Sequence, residues 1–377
     1  MAIDFEKEGL LEGLDGPARE ARLKLLEGLA SDGFELDELK RAAGEGRLAF
    51  VAVERVLAGG DDCYTPGEIA ERSGLEQDFL EHLWRALGMA VRDPSETAFT
   101  QADLEAAERV RALREAGLSE EAIVEIGRVM SRGMFAVASA IRRVFAETYL
   151  RAGDDEQSLA LRYAEASREL TPLLGPVLEH ILGVQQRSLI RQAAVDSAAL
   201  ASGRLPQGQE TSFCFADLVG FTKLGENVDS AALGGVAERL EEMAAEVADP
   251  PVRLIKTIGD AAMLESADTE ALLDAALTLV SRADEEGEDF PQIRAGVARG
   301  EALERSGDWF GRPVNLASRI TDIARPGTVL ADAPTKEAAG DDAYRYSFAG
   351  KRRIKGLHGE VELHRVRRDE PGDGDET

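Results

Sequence analysis

A carboxylate at the end of an apolar stretch is the first candidate for chemistry in this chain. Residues 213–222 pass through apolar and aromatic side chains to Asp217 and then reach Gly220. The pattern predicts a buried central strand that presents Asp217 at the sheet edge, beside exposed backbone amides. Hard divalent cations prefer such an oxygen ligand, and the amides suit phosphate. An aspartate that only caps the following helix gives the same local pattern, so both interpretations stay open here.

A second carboxylate, Asp260, lies at the tip of a predicted β-hairpin. Residues 253–264 are typical of a strand, a tight turn and a second strand, with Gly259 and Asp260 in the turn. Lys256 lies four residues before Asp260. It shares a strand face with Ile258, because alternate side chains of a strand point the same way.

The third candidate segment, residues 307–320, combines a carboxylate with an amide and a guanidinium. Asp308 comes first, followed by Asn315 and Arg319. The last two are four residues apart, so on a helix they project from one face on adjacent turns. An amide and a guanidinium on one face suit an oxyanion. An ordinary solvated helix face is the alternative.

Together these segments resemble the catalytic domain of the class III nucleotidyl cyclases, over roughly residues 211–367. Any one motif would be a weak match, whereas four in the family's order make a specific one. The four motifs are FADLVGFT (215–222), KTIGD (256–260), GDxxG (307–311) and VNxASR (314–319).

The resemblance implies roles for the matched residues in cyclisation. Asp217 and Asp260 match the two metal-binding aspartates, which implies two Mg²⁺ or Mn²⁺ ions per site. Asn315 and Arg319 match the residues that stabilise the transition state. The resemblance also implies a head-to-tail homodimer in which the aspartates of one subunit meet the remaining site residues of the other.

Substrate recognition is also implied by the resemblance. Lys256 and Asp308 match the pair that recognises adenine, and Lys355 lies where the family often has a phosphate-contacting lysine. Lys can donate to adenine N1 and Asp can accept from N6, whereas guanine reverses that pattern. The sequence therefore favours ATP over GTP. A guanylyl cyclase, which would need other residues at 256 and 308, and a nucleotide-sensing protein with a cyclase-derived domain are the alternatives.

The order of elements predicts a multidomain protein, with an all-α N-terminal regulatory domain followed by an α+β catalytic domain. We expect a helical domain over residues 1–201, a linker over 202–210, the catalytic domain over 211–370 and an acidic tail over 371–377. In the catalytic domain we expect helices over one face of a largely antiparallel sheet, and the family resemblance makes this fold ferredoxin-like.

The N-terminal half resembles the autoregulatory domain of actinobacterial, mycobacterial-type adenylyl cyclases that respond to pH. This resemblance is diffuse and implies a helical, dimeric module that controls the catalytic pair, with fatty-acid binding as a further property. An apolar helix over residues 123–150 is typical of core packing or a dimer seam, with a lipid-like ligand pocket as the alternative. Pro172 and Pro176 are expected to interrupt the next helix. His180 lies in the helical segment predicted from Val177 to about Ala201, which connects the two domains, and it could respond to pH.

Residues 64–84 have the pattern of a helix-turn-helix, with Thr65 as cap, Pro66 at the first helical position and Gly74 in the turn. A DNA-reading role is the hypothesis to weigh. The second helix, however, offers Glu76, Gln77, Asp78, Glu81 and His82, with Arg85 only at its end, whereas recognition helices bring Arg, Lys, Asn or Gln to the bases. We therefore expect a structural or regulatory unit and no nucleic-acid partner.

The overall composition points to a soluble protein with a strongly acidic surface. The 377 residues carry a formal charge of −27, which disfavours contact with nucleic acid or anionic lipid. No apolar run of membrane-spanning length and no signal peptide is evident. The two cysteines, Cys63 and Cys214, suggest a reduced protein without disulfides. A cytoplasmic location is the expectation.

Overall fold

The computed structural model describes residues 3–60, 64–89, 97–192, 208–287, 289–340, 343–356 and 359–369. The chain forms two compact units, Met1–Ala194 and Val195–Thr377. Each unit has hydrophobic core clusters of its own. Most of the predicted linker and all of the predicted acidic tail lie outside the described residues.

The first unit is built from helices. They are α1 (Gly16–Ser31), α2 (Leu36–Gly44), α3 (Val51–Ala58), α4 (Pro66–Ser73), α5 (Gln77–Ala86), α6 (Gln101–Glu115), α7 (Glu120–Tyr149) and α8 (Glu156–Gln192). Two apolar clusters hold them. One centres on Leu26 and Leu39, and the other on Ile69 and Leu80. The predicted all-α character is confirmed.

The predicted helix-turn-helix is confirmed as α4 and α5. The Thr65 side chain accepts from the backbone N–H of Glu68, and the Glu68 carboxylate accepts from the N–H of Thr65. Such a capping box satisfies two donors at the helix start, and an N-cap contributes about 1 kcal/mol. Gly74 ends α4 at φ 71°, a left-handed conformation that glycine adopts without a Cβ penalty.

The long helices α7 and α8 correct one prediction. Helix α7 lies where the apolar pattern places it, but α8 is continuous, with Pro172 and Pro176 inside it. Proline removes one backbone donor and crowds the preceding turn. Both prolines are exposed, so water can satisfy the carbonyl groups that they leave without a donor. The predicted continuation toward residue 201 lies outside the described residues.

The second unit contains a mixed sheet. Its strands are β1 (Gln209–Leu218), β2 (Arg253–Ile258), β3 (Ala261–Ser266), β4 (Ile293–Arg305), β5 (Asp308–Phe310), β6 (Val329–Asp332), β7 (Tyr344–Arg353) and β8 (Glu360–Arg368). The strand order is β2-β3-β1-β4-β6-β8-β7, with β5 paired to β4. Strands β4 and β6 run parallel, and the other described pairs are antiparallel.

Helices cover both faces of this sheet. They are α9 (Phe221–Leu224), α10 (Ser230–Glu246), α11 (Thr269–Glu285), α12 (Arg312–Ile323) and α13 (Ala333–Ala339). Helices α10 and α11 pack on one face, and α12 packs on the other. The expectation of helices over one face was therefore too narrow. The reason lies in β1, where Phe213 and Cys214 point to opposite faces and are both fully buried.

The alternation along β1 fixes the side on which the first candidate carboxylate lies. Cys214, Ala216 and Leu218 belong to the core beneath α10 and α11, whereas Phe213 and Phe215 belong to the core beneath α12. Because side chains alternate along a strand, Asp217 shares the face that α12 covers.

Helices long and apolar enough to span a membrane are absent from the part of the chain that the structure describes.

Candidate active site

Asp217 and Asp260 are neighbours across two adjacent strands. Asp217 pairs with Ala261 in the β1–β3 register, and the N–H of Leu218 donates to the carbonyl oxygen of Asp260 at 3.0 Å. Gly259 supplies the tight turn before Asp260 with φ 62°. The hairpin therefore brings together two carboxylates that are 43 positions apart in the sequence.

Arg294 lies directly beside the first carboxylate. It pairs with Asp217 in the β1–β4 register, and its Nη2 and Nε donate to Asp217 Oδ2 at 2.6 and 3.0 Å. Its Nη1 donates to the carbonyl oxygen of Asp322 at 3.0 Å. Arg294 is not among the residues predicted from the sequence, because only strand register shows that it faces Asp217.

The electrostatics at Asp217 favour a cation. Burial raises the pKa of Asp217, and the hydrogen bond from Arg294 opposes that rise. The charges of Asp260 and Asp322 raise the pKa further. A cation between the two aspartates would relieve both the desolvation and the repulsion.

The donor chemistry fits a hard divalent metal ion. Carboxylate oxygens are the ligands that Mg²⁺ and Mn²⁺ prefer, and Mg²⁺ commonly takes one or two carboxylates, with substrate phosphates and waters completing its shell. Clusters of three or more potential metal-ligating side chains are absent among the described residues. Two carboxylates would leave the remaining coordination positions of such an ion to waters and substrate phosphates.

Lys256 and Asp308 form a direct ion pair. Lys256 Nζ lies 2.5 Å from Asp308 Oδ2, and both side chains are about one-third exposed. Strand β5 holds Asp308 through its pairing with β4, and the N–H of Trp309 donates to Asp308 Oδ1 at 2.9 Å. A donor and an acceptor therefore lie side by side at a surface that a ligand can reach.

Asn315 and Arg319 lie on the outer face of α12, as the sequence predicts. Both are exposed, while Leu316 and Ile320 of the same helix are buried against the sheet. Arg319 Nη1 lies 3.4 Å from Asp322 Oδ2. Both side chains are thus accessible to a group that approaches from outside, which for Arg319 would compete with Asp322.

Lys355 is exposed in the connection between β7 and β8, next to the buried Ile354. Among the described residues, no hydrogen bond or ion pair joins Lys355 to the other candidate site residues. Nor does such a contact join the Lys256–Asp308 pair to Asp217 and Asp260. The candidate residues form these groups: the two aspartates with Arg294, the Lys256–Asp308 pair, the outer face of α12, and Lys355. Asp322, in contrast, links two of the groups, because it contacts both Arg294, the partner of Asp217, and Arg319 on α12.

A nucleotide cyclase is the class of protein that this fold and these groups define. The chain matches the family described as adenylate cyclase regulatory domain over residues 3–190. It matches the family described as adenylate and guanylate cyclase catalytic domain over residues 205–368. The chain belongs to the family of adenylate cyclases that carry an N-terminal regulatory domain before a class III catalytic domain.

Known relatives cover both units. The chain is 41% identical to the pH-sensitive adenylate cyclase MT1302 of Mycobacterium tuberculosis, across 97% of this chain and 93% of that protein. It is 32% identical to an adenylate cyclase of Streptomyces coelicolor, across 88% of this chain and 93% of that protein. The crystal structure of the adenylyl cyclase CyaB from P. aeruginosa matches 44% of this chain and 98% of its own at 21% identity, with a TM-score of 0.39.

Proposed function

We propose that this protein converts ATP to 3′,5′-cyclic AMP and pyrophosphate, under the control of its helical unit. The observation that carries the proposal is the adjacency of Asp217 and Asp260 in a unit that also holds the Lys256–Asp308 pair. The two aspartates provide a cation site for a triphosphate, and the Lys256–Asp308 pair provides a donor and an acceptor for the edge of a purine.

Asp217 and Asp260 would hold two Mg²⁺ or Mn²⁺ ions. Bound there, such ions supply acidity to the ribose 3′-hydroxyl and neutralise charge on the triphosphate and the departing pyrophosphate. The residues of the chain itself position the ions and the substrate. Burial of Asp217 and the nearby charge of Asp260 favour a cation beside Asp217, and Arg294 compensates the charge of Asp217.

Lys256 and Asp308 select adenine in this proposal. The ammonium would donate to N1 and the carboxylate would accept from the N6 amino group. Guanine offers an N1–H and an O6 acceptor, which leaves both side chains mismatched. A polar group that a bound base buries without a partner costs more binding free energy than a poor shape match. This pair therefore discriminates strongly between adenine and guanine.

Asn315 and Arg319 act on the reacting end of the substrate. The guanidinium would oppose charge that grows on the α-phosphate, and the amide would orient the ribose. Loss of one such donor typically raises the barrier by about 3 to 4 kcal/mol, or roughly a hundred- to a thousandfold in rate. Lys355 would contact the phosphates.

A homodimer completes the site in this proposal, with the aspartates from one protomer and the remaining groups from its partner. Asn315 and Arg319 lie exposed on α12, where a second protomer could reach them. The helical unit supplies a further argument, because α7 and α8 expose large apolar side chains such as Phe135 and Ile190, 76% and 73% exposed. Such faces are typical of surfaces that a partner covers.

Regulation by pH is the proposed role of the helical unit, as in the Mycobacterium tuberculosis relative's name. His180 lies exposed on α8 and is the candidate group, since histidine changes charge between pH 5 and 8.

A fatty acid is the proposed second effector of the helical unit. A cavity of about 340 Å³ in this unit combines Phe34 and Val56 with Arg55 and Arg168, and Asp32 also lines it. The apolar and cationic side chains suit an apolar chain with a carboxylate. Because ATP is a cytoplasmic metabolite, a cytoplasmic location belongs to the proposal.

DNA binding is not part of the proposal. On α5 the side chain of Asp78 is exposed, as is Glu76 just before the helix, and these would repel phosphate. The alternative hypothesis, a nucleotide-sensing protein with a cyclase-derived domain, predicts that the protein binds nucleotide but does not convert it.

Turnover of ATP and GTP, with Mg²⁺ and with Mn²⁺ across pH 5 to 8, tests the proposal. We expect cyclic AMP as the main product. Asp260→Ala should abolish its formation while the circular dichroism spectrum stays that of the wild type. Asp229→Asn, a conservative change at the exposed cap of α10, is the control. Retained activity in Asp260→Ala would exclude the metal assignment.

A further inference from the structure

The short strand β5 carries Asp308 but has little backbone support of its own. It spans only the residues Asp308–Phe310, and among the described strands it pairs with β4 alone. The turn that leads into β5 adds strain, because Ser306 has φ 56°, a left-handed conformation that costs free energy in any residue with a Cβ. Asp308 therefore needs a further contact to hold it in place.

Trp309 provides such a contact through its side chain. The side chain is only 4% exposed, whereas the adjacent Phe310 is 56% exposed. Its ring meets the ring of Phe213 on β1 in a T-shaped arrangement, with the centroids 5.4 Å apart, which is a favourable geometry for two aromatic rings. Phe213 is itself fully buried. The indole thus anchors β5 in the core beneath α12.

Trp309 also orients the carboxylate of Asp308 through its backbone. The N–H of Trp309 donates to Asp308 Oδ1 at 2.9 Å, while Asp308 Oδ2 contacts Lys256 Nζ. One oxygen is therefore held by the anchored residue, and the other is presented to the lysine. A shift of the indole would move the N–H that holds the carboxylate.

The core that receives Trp309 also supports α12. Leu316, which follows Asn315 in the sequence, belongs to this core. Between β5 and α12, Gly311 passes so close to β4 that an added Cβ would lie 2.9 Å from the Glu301 carbonyl oxygen. The anchored indole and this close passage together fix β5 relative to α12.

The indole N–H of Trp309 is buried without a hydrogen-bond acceptor among the described residues. A buried tryptophan N–H usually has a partner, because an unpaired buried donor costs free energy. The side chain therefore holds β5 through its apolar rings and not through this N–H. A phenylalanine, which keeps an aromatic ring and lacks the N–H, should hold β5 in the same way.

We propose that Trp309 is a positioning residue for adenine recognition, an inference that rests on the proposed function. Its rings fix β5 in the core, and its backbone N–H turns the Asp308 carboxylate toward the base. The side chain is too deeply buried to contact a nucleotide, so it acts through Asp308. Its loss should change the choice between adenine and guanine, and not only the amount of folded protein.

Kinetics of the wild type, Trp309→Leu and Trp309→Phe with ATP and with GTP test the inference. Trp309→Leu should lower kcat/KM for ATP about 100-fold, since a misplacement of about 1 Å can cost that much. The loss for GTP should be smaller, because guanine does not match Asp308. Trp309→Phe should retain the wild-type ATP-to-GTP ratio of kcat/KM. If the leucine variant does not fold, Trp309→Met carries the same expectation at a smaller amplitude.

Trp84→Leu is the matched control. Trp84 is 6% exposed and stacks on Phe99 in the helical unit, with the ring centroids 4.3 Å apart, so the substitution removes a comparable buried aromatic contact. We expect Trp84→Leu and Trp309→Leu both to lower the melting temperature, but Trp84→Leu to keep the wild-type ATP-to-GTP ratio. Thermal unfolding of each variant thus separates a loss of folded protein from a change in selectivity.

Binding of 3′-deoxy-ATP and 3′-deoxy-GTP separates this inference from the proposed reaction, because neither nucleotide has the hydroxyl that would attack. In calorimetric titrations with Mn²⁺, the wild type should prefer the adenine nucleotide. Trp309→Leu should lose this preference and Trp309→Phe should keep it. If the wild type binds 3′-deoxy-ATP but does not convert ATP, the proposed reaction fails, whereas the binding ratios of the variants still decide the inference.

Two outcomes would overturn the inference. In the first, Trp309→Leu folds and keeps the wild-type preference in both turnover and binding, which would leave the indole a purely structural residue. In the second, Trp309→Phe loses the preference as completely as Trp309→Leu does, which would mean that the indole N–H is required and that the rings alone do not position Asp308.

Discussion

Lys256 Nζ contacts Asp308 Oδ2 at 2.5 Å, although 52 positions separate the two residues in sequence. Lys256 comes from the hairpin that also carries Asp260, and Asp308 comes from the short strand β5 at the far end of β4. Each side chain satisfies the other in the absence of substrate. A purine that replaces this contact must therefore offer an acceptor to Lys256 and a donor to Asp308.

Asp308→Asn should weaken the preference for ATP. The amide keeps one acceptor but adds donors, so the edge of guanine is no longer rejected as strongly. We expect kcat/KM for ATP to fall about 10- to 100-fold, since a hydrogen bond to a charged group is worth about 1.5 to 3 kcal/mol. Lys351→Gln, in an exposed ion pair with Glu362, is the control. An unchanged ATP-to-GTP ratio of kcat/KM in Asp308→Asn would refute the base-reading role.

Mixing two inactive variants should restore activity if the site is shared between protomers. Asp217→Ala lacks a metal ligand and Arg319→Ala lacks a charge donor, but a heterodimer of the two has one intact site. With random exchange of subunits, about one quarter of the wild-type activity should return. Cyclic AMP formation before and after mixing measures this. A mixture that stays inactive, although exchange is demonstrated by labelled subunits, would show that the site lies within one protomer.

Gly296→Ala should disturb the position of α12. A Cβ at this position of β4 would lie 2.5 Å from the Ala317 carbonyl oxygen and would clash with the Thr321 nitrogen. Helix α12, which carries Asn315, must then move away from the sheet. We expect a loss of about 1 to 3 kcal/mol in the free energy of unfolding and a fall in kcat at temperatures where the variant is folded.

Gly235→Ala is the matched control for that substitution. Among the described residues, no atom apart from the adjacent residues and the helix's own backbone lies within 4 Å of a Cβ added at this position of α10. Since alanine favours a helix over glycine by about 1 kcal/mol, this variant should be at least as stable as the wild type. If Gly296→Ala kept full activity and stability, the close packing of α12 on β4 would not matter for the site.

Asp332 should make the catalytic unit less stable as the pH rises. Burial raises its pKa above the usual 3.8, although Thr335 donates to it from both its hydroxyl and its backbone N–H. The folded state therefore binds this proton more tightly than the unfolded state. The contribution is fully present below pH 3.8 and is lost as the pH rises through the folded pKa.

Asp332→Asn isolates that effect, because the amide can still cap α13 but cannot ionise. We expect the free energy of unfolding of the wild type, relative to the variant, to be higher near pH 4 than at pH 7. Urea unfolding at the two values measures the difference. An equal difference at both values would mean that Asp332 does not titrate with a raised pKa.

Deletion of residues 1–205 should change the pH profile of cyclic AMP formation. The helical unit matches the regulatory domain family and contains His180. Its removal should therefore abolish the pH response. Rates of the full chain and the truncated chain across pH 5 to 8 give the comparison. A parallel pair of profiles would leave the helical unit without a role in pH control.

Local patterns allowed much of the fold to be predicted. Three features depend only on residues within about four positions of one another. They are the capping box at Thr65, the turn at Gly259 and the outward face of α12. The continuity of α8 through Pro172 could not be read in this way. Both prolines inside α8 are exposed, and exposure is set by the tertiary structure.

The sequence by itself determined which chemical groups the catalytic unit carries and on which elements they lie. Tertiary structure alone decided which of them meet. Arg294 faces Asp217, and Lys256 reaches Asp308, because the strands assemble in the order β2-β3-β1-β4-β6-β8-β7 with β5 beside β4. That order follows from how the two faces of the sheet are buried over the whole unit. Hydrogen bonds and side-chain alternation within one segment carry no information about its distant neighbours.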